Sequence, residues 1–285
     1  MIEANQKPMA AAWRRFRQHR GACVGTIVLI LMSSFVIFLP LFWFEEPSTQ
    51  HLTLGPTSPS LEHWAGTDYE GRDILVRMAA GGRVSLLVGL VATLVALVIG
   101  VTWGAVAGYL GGRVDAVMMR IVDVLYGLPY MFFVIILMVW FGRSMVNIFI
   151  GLGAVSWLTM ARIVRANVMS YRDRDFVNAA KLAGHGGAFI VARHILPNVM
   201  GPILVYGTLT VPRVMIEEAF LSFLGLGIQP PAASWGSLLA EGASLFREYP
   251  WMLIGPASAL CLTLLALNFV GDGLRDALDP KESRA

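Results

Sequence analysis

The sequence predicts an all-α polytopic membrane protein with six transmembrane helices. Only 14% of its 285 residues are charged and 56% are hydrophobic, whereas about 25% of the residues in a soluble domain are charged. Five blocks contain no Asp, Glu, Lys or Arg: residues 21–44, 84–110, 124–141, 144–161 and 249–271. Each approaches or exceeds the roughly 18–20 residues that cross a bilayer as a helix. Such blocks exclude a soluble enzyme, a nucleic-acid-binding domain and a membrane β-barrel, whose strands alternate apolar and polar residues.

The first element is a basic arm at residues 1–20, which precedes an apolar run at 21–44. This run is longer than the apolar region of a signal peptide, about 7–15 residues, and no small-residue cleavage site follows it. We therefore expect the run to be retained as the first transmembrane helix. Residues 45–83 then form a periplasmic segment, residues 84–274 form the core domain with five further spans, and residues 275–285 form a cytoplasmic tail.

The distribution of Lys and Arg predicts the topology of these spans. If the chain crosses at each charge-free block and once more at 198–221, sixteen basic residues fall on the side of the amino-terminal arm and five on the other side. Arg213 lies within the added span. Because cytoplasmic loops carry an excess of Lys and Arg, this bias predicts that both termini are cytoplasmic. It also accounts for the net charge of +3 without a nucleic-acid partner.

The added span carries three ionisable residues, Arg213, Glu217 and Glu218. Charges inside a span are costly, so they face the interior of a bundle or a water-filled cavity. Arg213 and Glu217 are four residues apart, and one helical face can hold them as a pair. Two roles remain open. The pair pins this span against its neighbours, or the acidic residues line the route of a transported solute or an outer gate.

The chain has no recognisable energy source or catalytic centre of its own. None of the three lysines precedes Ser or Thr, so the G-K-[ST] end of a phosphate-binding loop is absent. No H-E-x-x-H motif occurs, and the histidines lie in or beside loops. Cys23 and Cys261 have no C-x-x-C partner. We therefore expect no catalytic residue and no metal site.

A long loop at residues 168–197, predicted on the cytoplasmic side, contains the pattern of two short helices and a glycine turn. The first helix has apolar residues at the spacing of one helical face: Phe176, Ala179, Ala180 and Ala183. Gly184 supplies the positive φ that a sharp turn needs. We expect a second short helix around 189–193, and Pro197 suits the start of the next span. Periodicity alone also fits an ordinary helical hairpin on the membrane surface.

A glycine-rich and acidic stretch precedes the second span, in the order His63-Trp-Ala-Gly-Thr-Asp-Tyr-Glu-Gly-Arg-Asp73. Its candidate residues are Gly66, Thr67, Asp68, Gly71, Arg72 and Asp73. Thr67 or Asp68 can accept hydrogen bonds from the neighbouring backbone, so the stretch predicts a capped turn that leads into the span.

Four motifs together resemble those of binding-protein-dependent ABC importer permeases. They are Asn178-Ala-Ala-x-x-x-Gly184 with His194-Ile-Leu-Pro197, Gly66-Thr-Asp-x-x-Gly-Arg-Asp73, Leu221-Ser-Phe-Leu-Gly-Leu-Gly-Ile-Gln-Pro-Pro231, and Asn268-x-x-Gly271-Asp-x-Leu-Arg-Asp276. The resemblance covers essentially the whole chain and is greatest to the C-type permeases of the oligopeptide, dipeptide and nickel importers. It implies the type I ABC importer permease fold and a multi-pass location in the bacterial inner membrane. The chain departs from the family at Asn178, where Glu is usual, and it adds Glu217 beside Glu218.

The resemblance further implies that the chain is not an enzyme but forms half of a translocation pathway for peptides. ATP and Mg would bind partner ATPases, and this chain would bind no cofactor. The implied partners are a second related permease, two cytoplasmic ABC ATPases, the lipid bilayer, and a periplasmic binding protein that docks on residues 61–83 and 222–248. The residues implied to contact the ATPase are Asn178, Ala179, Ala180, Gly184, Arg193, His194, Leu196 and Pro197. Nickel or another small solute remains an alternative cargo, and a self-sufficient channel or secondary carrier remains an alternative class.

Overall fold

The structure is a computed structural model that describes residues 8–42, 46–142 and 144–278. These ranges contain eleven α-helices and one π-helical segment, and no named β-strand. The elements are α1 (Pro8–Gln18), α2 (Arg20–Phe42), α3 (Ile74–Leu110), α4 (Gly112–Gly127), α5 (Tyr130–Phe141), α6 (Met145–Arg172), α7 (Asp175–Leu182), α8 (Gly187–Ile190), the π segment (Val191–Ile195), α9 (Leu196–Phe223), α10 (Trp235–Ser244) and α11 (Trp251–Leu278). The predicted all-α class is confirmed.

Five helices are long and apolar enough to cross a membrane: α2, α3, α6, the continuous helix Gly187–Phe223, and α11. The pair α4 and α5 meets the same composition test but bends by 80° at the break between the two helices. Counted as one broken span, this pair brings the total in the described residues to six, which agrees with the predicted number.

The charge-free block at 124–141 was predicted to be one span, but in the structure it is not one helix. α4 ends at Gly127, Leu128 has an extended ψ of 132°, and α5 starts at Tyr130. A proline disfavours helical geometry in the residue before it and cannot donate a backbone hydrogen bond, so Pro129 breaks the helix. The 12 residues of α5 are about 18 Å long, well short of a hydrocarbon core of about 30 Å.

The second span begins at Ile74, ten residues before the charge-free block at 84–110. The extra turns carry Arg77 and Arg83, and both cations have partners in the fold. Arg83 donates to the backbone carbonyls of Val36 and Ile37 in α2, each at 2.9 Å. Because these charges are satisfied by the protein, they do not prevent the helix from starting outside the apolar block.

The centre of the bundle is the packing of α3 against α6 through a row of glycines. Gly100, Gly104 and Gly108 lie four residues apart on one face of α3. A Cβ atom at Gly104 would lie 2.4 Å from the carbonyl oxygen of Ala161 in α6. Small residues at this spacing let the backbones of two membrane helices approach closely. This close approach increases the van der Waals attraction between the helices.

Candidate functional site

The segment after α6 folds as a short helix, α7, that is closed by the predicted glycine turn. Gly184 adopts a φ of +82°. Its N–H donates to the carbonyl of Lys181 at 3.0 Å, and the N–H of His185 donates to the carbonyl of Ala180 at 3.2 Å. These two bonds define the Schellman motif, in which the left-handed residue is usually glycine. No atom lies within 4 Å of a Cβ placed on Gly184, so the backbone angle, and not lack of space, favours glycine there.

The apolar face predicted on α7 is divided between the interior and the surface. Ala180 is buried, whereas Phe176, Ala179 and Ala183 are exposed. Val177, which the periodicity did not include, is completely buried. The two inward residues belong to a core cluster with α3, α6 and the helix that follows: Ala105, Met160, Val164, Val168, Ile190, Ile195, Val199 and Ile203. α7 is therefore fixed to the spans on one side, and on the other it exposes Phe176, Ala179 and Leu182 among polar side chains.

The second half of the segment differs from the prediction because it is not a separate short helix. α8, the π segment and α9 form one helix of 37 residues from Gly187 to Phe223. Pro197 lacks the N–H that would bond to the carbonyl of Arg193, and the wider π turn directly before it accommodates this gap in the ladder. The other predicted contact residues lie at the same end of the bundle, with Arg193 and Pro197 exposed and His194 and Leu196 half-buried.

Asn178 is exposed and bonds within the segment. Its amide nitrogen donates to the carbonyl of Asp173 at 3.3 Å, and its amide oxygen accepts from the Lys181 ammonium at 3.4 Å. A side chain at this position therefore faces outward, beside the exposed apolar surface of α7.

The stretch before the second span is a capped turn in which both predicted acceptors take part. The hydroxyl of Thr67 accepts from the N–H of Thr57 and donates to the carbonyl of Gly55, each at 2.7 Å. The carboxylate of Asp68 accepts from the N–H of Arg72 at 3.0 Å and from its guanidinium at 2.7 Å. Thr67 and Asp68 are buried, so these groups organise the backbone and are closed to a partner.

The glycines and the last acid of this stretch also have local structural roles. Gly66 and Gly71 have φ values of +76° and +73°. A Cβ at Gly71 would lie only 2.1 Å from the carbonyl oxygen of His51. Asp73 caps α3 by accepting the N–H three residues further on at 3.1 Å, and its other oxygen lies 2.8 Å from the ring of His63.

An ion-pair network that no sequence pattern indicated joins this turn to α10. The side chain of Arg77 is only 4% exposed, and its guanidinium donates to Asp68 and to Glu241, the latter at 2.7 and 3.1 Å. Arg77 and Glu241 are 164 residues apart in the chain, and no local pattern links them. Through this network the start of α3, the capped turn and α10 are held together at the end of the bundle opposite α7.

Arg213 and Glu217 form the predicted pair on α9, with Nε and Oε1 at 3.0 Å. The pair is asymmetric, since the side chain of Arg213 is 56% exposed and that of Glu217 only 12%. Arg213 lies at one end of a groove of about 200 Å³ between α6 and α9. The polar residues that line the groove are Ser156, Thr159, Tyr206, Thr210 and Arg213.

Glu218 does not share the position of its neighbour, and of the two roles left open its burial fits the structural one. It is 1% exposed and accepts hydrogen bonds from three hydroxyls, those of Ser222 and Ser234 at 2.7 Å and that of Ser85 at 3.2 Å. These serines belong to α9, to the cap of α10 and to α3. Glu218 thus joins three elements inside the chain. Its environment differs from that of Glu217 because consecutive helical residues point about 100° apart.

Among the residues that the structure describes, no three His, Cys, Asp or Glu side chains are placed to hold a metal ion. Five apolar helices of spanning length with a further bent pair, a short amphipathic helix exposed at one end, and a polar groove between two of the long helices are the features of a membrane permease. The chain belongs to the family described as the binding-protein-dependent transport system inner membrane component, whose model matches residues 100–284. Residues 7–57 match the N-terminal transmembrane domain of oligopeptide transport permease C.

Several curated proteins are similar to the chain over nearly its full length. The oligopeptide transport system permease protein OppC of Haemophilus influenzae is 46% identical over 99% of this chain and 92% of its own length. OppC of Escherichia coli K12 is 49% identical over 95% of this chain and 90% of its own length. The dipeptide transport system permease protein DppC of Bacillus subtilis is 44% identical over 96% of this chain and 86% of its own length.

Proposed function

We propose that this chain is a permease subunit of an ATP-driven importer and forms half of the translocation pathway for oligopeptides or dipeptides. Family membership and the named relatives support this cargo class. The observation that carries the proposal is the position of α7, whose exposed apolar side is held rigidly to the spans through Val177 and Ala180. A self-sufficient channel or carrier would need no such docking surface.

Movement at α7 would reach the membrane because α7 and the spans share one core. Val177 and Ala180 pack in the same cluster as Val164 of α6 and Val199 of α9. Close-packed interiors move as units and do not deform smoothly. A partner ATPase that displaces α7 as it closes on ATP would therefore displace α6 and the 37-residue helix together. ATP and Mg would be bound by the ATPase, and this chain would contribute no catalytic residue.

The groove between α6 and α9 is our candidate for this chain's side of the pathway. Arg213 lies ten residues before the end of α9, or about 15 Å along the helix, at a depth where a charge exposed to lipid is costly. A second permease facing the groove would enclose it. The hydroxyls of Ser156, Thr159 and Thr210 offer hydrogen bonds to peptide groups, and the Arg213 guanidinium suits a peptide carboxylate.

The proposed orientation places both termini and α7 in the cytoplasm and the α10 end in the periplasm, in accord with the excess of basic residues on the α7 side. A periplasmic binding protein would dock on residues 61–83 and 222–248. Trp64 and Tyr69 are 63% and 67% exposed in the first of these stretches, and aromatic residues often anchor protein interfaces.

Reconstitution in proteoliposomes tests the proposal. Peptide uptake is expected to require the second permease, the ATPases, the binding protein and ATP. Leu182→Glu should abolish ATPase association, because Leu182 is 90% exposed at the end of α7, whereas Leu61→Glu, at a leucine 95% exposed at the opposite end, should leave that association intact. Uptake by this chain alone would overturn the proposal. Uptake of nickel without uptake of peptide would show that the cargo is nickel and not peptide.

A further inference from the structure

The helix before the first span, α1, has a basic side and an apolar side. At about 100° per residue, Arg14 and Arg17 lie within about 60° of each other, Phe16 faces away from both, and Arg15 lies about 100° beyond Arg14 on the far side. Trp13 lies between the two sides. This arrangement is typical of a helix that lies at a membrane surface.

The apolar side of α1 is fixed to the end of α11. The ring of Phe16 lies next to Gly273, where an added Cβ would be 3.5 Å from it. Trp13 stacks on Phe16 with ring centroids 5.9 Å apart, and the ring of His19 lies 3.4 Å from the carboxylate of Asp276. The Asp276 carboxylate therefore pairs with His19, just after α1, and not with Arg14 or Arg17.

The other side of α1 is open. The side chains of Arg14 and Arg17 in α1, and of Arg20 at the start of α2, are exposed, and none of them has an ion-pair partner in the described part of the chain. Trp13 is 62% exposed. An exposed indole beside unpaired guanidinium groups matches the boundary between acyl chains and headgroups, where Trp sits and Arg reaches phosphate.

The position of α1 along the chain places these residues at that boundary. α2, a span, starts at Arg20, only six residues after Arg14. Even if α1 continued the axis of α2, Arg14 would lie only about 9 Å beyond the start of the span. The headgroup layer on each side of a bilayer is about 5–8 Å thick, so Arg17 and Arg20 fall within it even in that extended case, and the long side chain of Arg14 can reach back to it.

We propose that α1 and the first residue of α2 form a binding site for anionic phospholipid, with Arg14, Arg17 and Arg20 contacting headgroup phosphates and Trp13 inserted beside them at the acyl boundary. The occupant is a lipid of the bilayer because the site adjoins α2. The basic side also complements the negative surface of a leaflet rich in anionic lipid. This inference does not depend on what the permease transports.

Quenching of Trp13 fluorescence by brominated lipid tests the site in the full-length chain, assembled with its partners in nanodiscs. The Trp13 signal is the difference between wild type and Trp13→Phe. We expect brominated phosphatidylglycerol to quench this signal more strongly than brominated phosphatidylcholine at equal mole fraction. Arg14→Gln/Arg17→Gln should lower the preference for phosphatidylglycerol by about tenfold or more, since each arginine near an anionic surface contributes roughly fivefold.

The matched control is Arg113→Gln/Arg120→Gln, which removes the same charge from two other exposed arginines and should leave the preference unchanged. Raising the salt concentration should weaken the preference, because the Debye length falls from about 10 Å at 0.1 M to about 3 Å at 1 M. Equal quenching by both lipids would overturn the proposal. So would an equal loss in the control pair, or Trp13 shielded from both lipids by a partner subunit.

Discussion

Gly184 closes α7, the helix that we propose contacts the ATPase, and it does so with a positive φ. Replacement by valine should keep the chain inserted but destabilise the turn by about 1–2 kcal/mol, because a β-branched residue strongly disfavours the φ of +82° found there. We expect weaker association with the ATPase, or hydrolysis uncoupled from uptake. Association and substrate-stimulated hydrolysis are the measurements.

Gly186→Val is the matched control for this change. Gly186 has a φ of −68°, which valine adopts readily, and no atom lies within 4 Å of the new Cβ. If Gly184→Val and Gly186→Val impair coupling equally, added bulk at the docking surface is responsible and the requirement for a left-handed residue is refuted.

Asn178 stands where the family usually has glutamate, and the structure indicates that Asn178→Glu should be tolerated. A carboxylate there would lose the bond to the Asp173 carbonyl but gain an ion pair with Lys181 three residues on, worth about 0.2–0.5 kcal/mol on an exposed helix. The thermal midpoint should stay close to wild type, with ATPase association equal or tighter. Loss of complex formation would mean that this chain's partner surface differs from that of the family.

At the scale of the element, the pair on α9 should respond asymmetrically to mutation. Arg213→Met leaves the carboxylate of Glu217 largely buried without its partner, at a cost of about 1–3 kcal/mol. Glu217→Gln leaves an exposed guanidinium, which water can solvate, so its effect on stability should be smaller. The double mutant should recover stability relative to Arg213→Met, as measured by thermal unfolding of the assembled complex.

Uptake, measured separately in the same variants, distinguishes the two roles that the sequence left open. Normal stability with lost uptake in Glu217→Gln supports a pathway role. Glu218→Gln should instead lower stability, because an amide offers one acceptor oxygen to three donating serine hydroxyls. Normal assembly and transport in all of these variants would exclude both roles.

The sequence located the elements whose cause is local and missed those whose cause is distant. Charge-free blocks located most of the spans, and glycine chemistry located the turn at Gly184. The break at Leu128-Pro129 does have a local signal, which is the proline inside an apolar block. The prediction of a single span missed it because that prediction rested on the absence of charged residues. The early start of α3 and the burial of Glu218 depend on distant partners. Arg77 pairs with Glu241, 164 residues away in the chain, and Glu218 accepts a hydrogen bond from Ser85, 133 residues away.

At the scale of the whole molecule, two assemblies of contacts lie at opposite ends of the bundle. The α7 cluster joins the docking surface to α3, α6 and α9, and the Arg77 network with Glu218 joins α3, α9 and α10. α3 belongs to both, and its contact with α6 runs along the glycine row. α9 also belongs to both, so a movement imposed at α7 can reach the opposite end along α9 and through the close packing of α3 on α6.

The glycine row predicts that one added methyl group on α3 destabilises the whole fold. Gly104→Ala places a methyl group 2.4 Å from the backbone carbonyl of Ala161, and because a backbone atom cannot rotate away, α3 and α6 must separate. We expect a loss of about 1–3 kcal/mol, read as a lower thermal midpoint of the assembled complex and reduced uptake. Gly127→Ala is the control, since no atom lies within 4 Å of its Cβ and alanine favours the helix. If Gly104→Ala is as stable as Gly127→Ala, the close approach of α3 and α6 does not hold the bundle together.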